Sequence, residues 1–494
     1  MQEGHGLLAV LQREERDALS APQVEATVKS YVRVLSVLVA VVASDVACGS
    51  GGATDSPESA DPWALVPVRD ENPDPDVVEV SLEAREGTKT YGGSPPTPVW
   101  TYDGSVPGPF IDAKIGDRVI IKFKNSLPEA TTIHWHGIRL PAGMDGTLAM
   151  QTPIPAGGTF RYEYVFKDAG LYWYHPHMRS DVQVQKGLHG AIRVRGPNEP
   201  VADQEHVVML DDVRLKADGT LAEYLDDTAK MMGREGNTLL VNGQTDATLP
   251  VRAGAALRLR LVNVANGRFF NLRLPGHVWR VIGHDGGLLP KPYDTERILL
   301  SPGERYDVMV IATGAPSSVV DLMNDAYERG HDSGGRPSMT VAHLRFGTEA
   351  PLTGRVLPEV FPAIEALPDA APVVPLSLDE DFHGDQLVFT INKEVFPNVP
   401  HIRVENGGLR ILEVKNESEM DHPFHLHGFF FQVLEKNGMR VPLASMGNKD
   451  TIIIPAKSTM KLVSRFDEPG HWMYHCHILE HAEGGMMGEI HVEP

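Results

Sequence analysis

The sequence predicts an all-β protein made of three consecutive copies of one Greek-key β-sandwich or barrel unit. Gly (47) and Pro (38) are frequent among its 494 residues, helical apolar periodicity is scarce, and short alternating runs recur. One segment appears three times, as Gly116–Asn125 (GDRVIIKFKN), Gly254–Asn263 (GAALRLRLVN) and Gly407–Asn416 (GGLRILEVKN), with Asn nine residues in each time. A second repeat joins Gly170–His177 (GLYWYHPH) to Gly470–His477 (GHWMYHCH), and both copies close with a short strand, Gly190 to Val194 and Gly488 to Val492.

Taken in order, residues 1–62 form a leader and tether. Lys29 and Arg33 precede an apolar run from Val34 to Ala43, then small residues up to Ala47 and Cys48, then Gly49, Ser50, Gly51 and Gly52. About ten apolar residues are too few to span a bilayer and suit the core of a signal peptide. Export to a periplasmic or extracellular location is expected. Cys48 before its Gly/Ser tether resembles a bacterial lipoprotein cleavage site, although Asp45 departs from the usual apolar residue. A lipid anchor at Cys48 is the sole membrane contact expected.

Unit one covers 63–197, ending near Gly196-Pro197. Eighteen residues after Gly116 it carries His134-Trp135-His136-Gly137, and later His175-Pro176-His177. Unit two covers 198–348 and has Leu272 and Leu274 where the other copies have histidines, so it reads as a spacer or wall. A Pro-rich connection from Glu349 to Pro375 opens the segment 349–494, which holds unit three with His425-Leu426-His427-Gly428 and His475-Cys476-His477.

The charge balance of 45 basic to 66 acidic residues, net −21, disfavours nucleic acid or anionic lipid as a partner. Of the two cysteines, Cys476 sits among metal-ligand residues and Cys48 in the leader, so no structural disulfide is expected.

The chemistry concentrates in His475–Met487, where a thiol, three imidazoles and thioethers form a soft N/S donor set. If Tyr474 to Ile478 is extended, side chains alternate: His475 and His477 point one way, about 7 Å apart, and Cys476 the other. Cys476, His481, Met486 and His422, three residues before His425, make the two-His, one-Cys, weak-Met set of a blue copper electron-transfer centre. A zinc site draws on the same residue types. Four His-x-His pairs occur where random placement of 21 histidines gives about 0.9. Pairing units one and three would gather eight imidazoles, enough for three metals with positions left open.

These residues, with Asp103-Gly104-Ser105-Val106-Pro107-Gly108-Pro109, resemble the three-domain multicopper oxidases, especially the bacterial laccase-like branch. The resemblance covers nearly everything from residue 63 on. It implies cupredoxin-like domains and four coppers per chain. By position, His422, Cys476, His481 and Met486 would hold the type 1 copper, and His134 and His425 the type 2. His136, His175 and His477 would hold one type 3 copper, and His177, His427 and His475 the other. It also implies dioxygen as oxidant and a small aromatic reductant, phenol or aromatic amine, with a cuprous or manganous oxidase as the alternative. Residues 348 to 401 contain no Met, which lowers the metal-ion alternative. Asp145 matches the family's acid near the cluster, though Asp145-Gly146 also reads as an ordinary turn. Ala482 stands where many bacterial relatives have Glu, and Glu483 follows as the second relay candidate. A monomer is expected. A structural relative that has lost its coppers would show missing ligands, and here the set is complete.

Overall fold

The computed structural model describes residues 63–222, 227–331 and 337–494. The leader, the export segment and the Cys48 anchor lie outside the described residues. Among the described residues no helix is long and apolar enough to cross a membrane.

The strands form six sheets in three consecutive pairs. The first pair has strand orders Thr97–Tyr102, Val77–Lys89, Arg118–Asn125, Thr159–Val165 and Ile111–Lys114, Gly190–Arg195, Gly170–His175, His134–His136. The second and third pairs each consist of a six-stranded and a five-stranded sheet, drawn from Gln204–Phe346 and Val373–Glu493. Each unit carries the same two parallel pairings in otherwise antiparallel sheets. Val77–Lys89 runs parallel to Arg118–Asn125, as Gln204–Val213 does to Ala256–Asn263 and Val373–His383 to Gly408–Asn416. In the facing sheets Ile111–Lys114 is parallel to Gly190–Arg195, Ala247–Val251 to Met339–Phe346, and Ile402–Glu405 to Met487–Glu493. Such pairings need long crossovers between the two sheets, which is Greek-key wiring.

The repeated Asn has a repeated task. Nδ2 of Asn125 donates to the carbonyls of Glu129 and Ile154, that of Asn263 to Arg268 and Leu300, and that of Asn416 to Met420 and Ile454. Each Oδ1 accepts the backbone N–H two residues on, at Leu127, Ala265 and Ser418. These bonds satisfy buried carbonyls in the turn that leads into the ligand strand, and each carbonyl left bare would cost about 1–3 kcal/mol. In the middle copy that strand, Phe270–Arg273, is kept, and Leu272 and Leu274 are fully buried. Gly190 and Gly488 stand at or next to the start of the closing strands, where a Cβ would lie 2.2 Å from the Tyr174 ring and 2.4 Å from the Tyr474 hydroxyl.

Units one and three share one continuous apolar core, from Val78 to Val194 and from Leu376 to Val492, while unit two encloses its own around Trp279, Leu259 and Leu272. That contact between first and third units brings the histidine pairs together. The last ligand strand, Gly470–Cys476, ends two residues short of the expected extended stretch. His477 donates its backbone N–H to Pro423 instead, and Ile478, still extended, caps the helix Leu479–Glu483.

Candidate metal centres

Cys476, His422 and His481 meet in the interior of unit three, all fully buried. Strand His422–Leu426 pairs with Gly470–Cys476 so that Phe424 faces Cys476, which places His422 beside the thiol. Cys476 Sγ lies 3.5 Å from His422 Nδ1 and 3.8 Å from His481 Nδ1, and the two nitrogens are 3.3 Å apart. A point equidistant from the three donors is about 2 Å from each, the length of a late transition metal–nitrogen bond. Each ring is held by its far nitrogen, His422 Nε2 on Ser418 Oγ at 2.9 Å and His481 Nε2 on the Met231 carbonyl at 3.0 Å, which leaves Nδ1 as the bare donor. Phe389 stacks on His481 at 3.8 Å. Burial pushes the Cys476 thiol far up and lowers His422 to about 3, so the imidazoles are neutral and the sulfur gives up its proton only to a cation. Met486 is fully buried, and its carbonyl accepts the Cys476 N–H at 3.1 Å.

On the other side of the same strand the eight remaining histidines converge, all buried. Backbone carbonyls of Asp145, Pro176, Asp450 and Cys476 accept Nδ1–H from His134, His175, His425 and His475 at 2.8–2.9 Å. His427 donates instead to Asp145 Oδ2 at 2.9 Å. With Nδ1 protonated, Nε2 is a lone-pair donor turned inward. The Nε2 atoms of His134, His136, His175, His425 and His477 have no hydrogen-bond partner among the described residues. His475 Nε2 lies 2.9 Å from His427 Nε2 and 3.3 Å from His177 Nε2. Burial and then neighbouring imidazoles push His136, His175, His177, His425, His427 and His477 well below their ordinary value, and His475 to about 4. Neutral rings with unshared lone pairs crowded in a dry pocket repel one another unless cations lie among them, so the donor set fits metal.

The structure gathers His177, His427 and His475 tightly, and sets His134 beside His425 and also against His427. His136, His175 and His477 stand farther apart, with ring centroids 4.9–6.0 Å from one another. Burial pushes the Asp145 carboxyl up, but His427 and His134 outweigh it and hold the group well below the usual carboxylate range. Asp145 Oδ1 remains buried without a hydrogen-bond partner among the described residues. Glu483 is not at the cluster. Its carboxylate is exposed, and Oε1 accepts the backbone N–H and hydroxyl of Ser180 at 2.7 and 2.9 Å.

Sequence reasoning missed two residues. Asp450 packs its carboxylate 3.6 Å from His425 Nδ1 and 3.8 Å from His136 Nδ1. Arg305, from the supposed spacer, grips both oxygens of Asp450 at 2.5 Å and donates Nε–H to the Leu171 carbonyl. Nothing local marks either one. Unit two therefore lacks ligands yet buttresses both sites, through Arg305 here and the Met231 carbonyl at His481.

Three β-sandwiches with a thiol–imidazole site wired to an eight-imidazole cluster define a copper-dependent oxidoreductase that uses dioxygen. Family models described as multicopper oxidase match residues 83–199, 204–340 and 368–494. Multicopper oxidase MmcO of Mycobacterium tuberculosis is 30% identical over 436 residues, with 80% of this chain and 83% of that one covered. The chain belongs to the multicopper oxidases, with three cupredoxin-like domains and copper of types 1, 2 and 3 as cofactor. Among solved structures, the Campylobacter jejuni multicopper oxidase described as a metallo-oxidase matches with a TM-score of 0.78 at 28% identity, over 87% of this chain and 95% of that one. A laccase from Pediococcus acidilactici matches with a TM-score of 0.77 at 28% identity, over 88% and 94%.

Proposed function

We propose that this enzyme oxidises phenols and aromatic amines one electron at a time at the Cys476 site and reduces dioxygen at the eight-histidine cluster. The observation that carries the reading is that Cys476 lies between His475 and His477 in one peptide, so a few covalent bonds link both sites. Copper, when bound, would supply one-electron storage and relay, so that four electrons and four protons convert one dioxygen to two waters. The type 1 ligands are His422, Cys476, His481 and Met486, and His134 and His425 hold the type 2 ion. His136, His175 and His477 form one type 3 set, and His177, His427 and His475 the other.

The protein's own groups manage position and protons. Asp145 Oδ2 fixes the His427 ring, and the carboxylate, held charged beside His134 and His427, takes up a proton only in passing it on. Glu483 is the solvent end of a second supply. In support, Asp181 beside it has its carboxyl pushed up to about 7, by burial and then by Glu483 and Glu480. The domains are read as 63–197, 198–348 and 349–494, a division supported by sheet pairs drawn from 77–195, 204–346 and 373–493. The enzyme works as an exported monomer, tethered by lipid if Cys48 is processed.

The laccase match supports the aromatic substrate. The similarity to the Campylobacter jejuni metallo-oxidase supports a second reading, in which Cu(I) or Mn(II) is the electron donor. Steady-state oxygen uptake with a phenol, Cu(I) and Mn(II) on one preparation separates them. We expect the phenol to give the highest kcat/KM, and turnover of metal ions alone would replace the first reading by the second.

A further inference from the structure

In the last sheet, Ile402–Glu405, Met487–Glu493 and Gly470–Cys476 lie side by side in that order. Register sets His471 opposite His491, and His401 directly precedes Ile402, the partner of Ile490. Glu489 and His491, two apart on one strand, share a face. Three imidazoles thus lie together across this sheet edge: the rings of His471 and His491 are stacked parallel at 3.8 Å, and the His401 ring lies tilted 4.1 Å from His491. Glu489 Oε2 is 2.9 Å from His491 Nε2 and 3.8 Å from His401 Nε2, and one ligand atom from each of these three residues falls within 4.8 Å of the others. The cluster sits about 13 Å along the strand from His475.

The first unit shows what this face does when covered. Aligning Gly470 with Gly170 and Gly488 with Gly190 puts His471, Glu489 and His491 at the positions of Leu171, Ala191 and Arg193. There Leu171 and Ala191 pack on Val207, Val262 and Val264 of the second unit. In the third unit the equivalent face leaves His471 exposed and His401 partly so. Solvation alone would be met by any polar residues. Two imidazoles converging on a carboxylate, with a third ring stacked behind, are a ligand set. Arg403, on the neighbouring strand Ile402–Glu405, is occupied by Glu493 at 2.8 Å.

We propose that His401, Glu489 and His491 bind a divalent late first-row ion, Zn2+ or Cu2+, at a surface site separate from the oxidase coppers. Two His and one carboxylate with open positions suit these ions, and His471 is a positioning residue that fixes the plane of His491. Zn2+ is the probe, because it is counted separately from the copper already bound. Equilibrium dialysis of the copper-loaded protein is expected to find one extra Zn2+ per chain. His401→Ala and His491→Ala should each weaken it about tenfold or more while the blue absorbance and copper content stay unchanged. Glu489→Gln, equal in shape, should do the same and serves if an alanine variant loses its blue colour. Zinc uptake equal in parent and Glu489→Gln, or no uptake by the parent at about 0.1 mM Zn2+, overturns the site.

Discussion

His427 of the third unit donates its Nδ1–H to Asp145 Oδ2 of the first at 2.9 Å, a bond between two fully buried groups 282 residues apart. It fixes the ring that crowds His475, while Asp145 Oδ1 lies 3.3 Å from His134 Nδ1 and makes no hydrogen bond of its own. Asp145→Asn keeps an oxygen for His427 and removes the base. Dioxygen reduction should slow on the order of 10² or more, and reduction of the Cys476 site by substrate should not change. Stopped-flow measurement of the two half-reactions checks this, and equal slowing of both would leave Asp145 a structural residue.

Cys476→Ser removes the thiol sulfur that lies between the two imidazoles of the electron-entry site. The blue absorbance and oxidase turnover should vanish and copper content fall by about one per chain, with the fold preserved, since one ligand is a small part of three cores. Absorption spectra, metal analysis and circular dichroism read the three outcomes.

Met486 is fully buried, whereas Met487 is half-buried in the closing strand opposite His475. An axial thioether donates charge and favours oxidised copper, so Met486→Leu should stay blue and raise the reduction potential, with Met487→Leu showing no shift. Redox titration of both variants tests the assignment, and a shift confined to Met487→Leu would move the axial ligand by one residue.

Arg305 joins the second unit to Asp450 beside the cluster. Arg305→Met would leave Asp450 without its buried guanidinium partner and should cost about 3–5 kcal/mol of stability. Adding Asp450→Leu should restore part of the loss, because the pair is then removed together. Denaturant unfolding of the copper-loaded single and double variants measures it.

Copper-free protein should be acid-sensitive. Burial lowers His475 to about 4 and His422 to about 3, below the unfolded value near 6.5. The unfolded chain therefore binds more protons once the pH falls below about 6.5, so stability is present above that value and lost beneath it. Each such imidazole contributes ~1.4 kcal/mol per pH unit until its folded pKa is reached. Urea midpoints of the copper-stripped protein at several pH values between 7.5 and 5 should fall steeply, and flat midpoints would contradict neutral buried rings.

Much of this protein was legible in its sequence, because the decisive signals are local. Strand alternation sends Cys476 and its flanking histidines to opposite sides whatever surrounds them. The Asn125, Asn263 and Asn416 repeat marks one turn three times, and Leu272 and Leu274 show which copy lost its donors. The ligand strand ended at Cys476, earlier than periodicity suggests, because the chain turns there into a short helix that carries His481.

Tertiary structure alone decided which partners surround those residues. Asp450 and Arg305 lie in separate units and meet only because units one and three share a core while unit two packs across them. Glu483 was read as a relay acid from its place beside His481, and helix geometry turns its side chain to Ser180 and solvent, the outer end of the proposed supply. Sequence records the spacing of donors along a strand. The charges and carbonyls that orient those donors come from distant segments, and only packing brings them within a few ångströms.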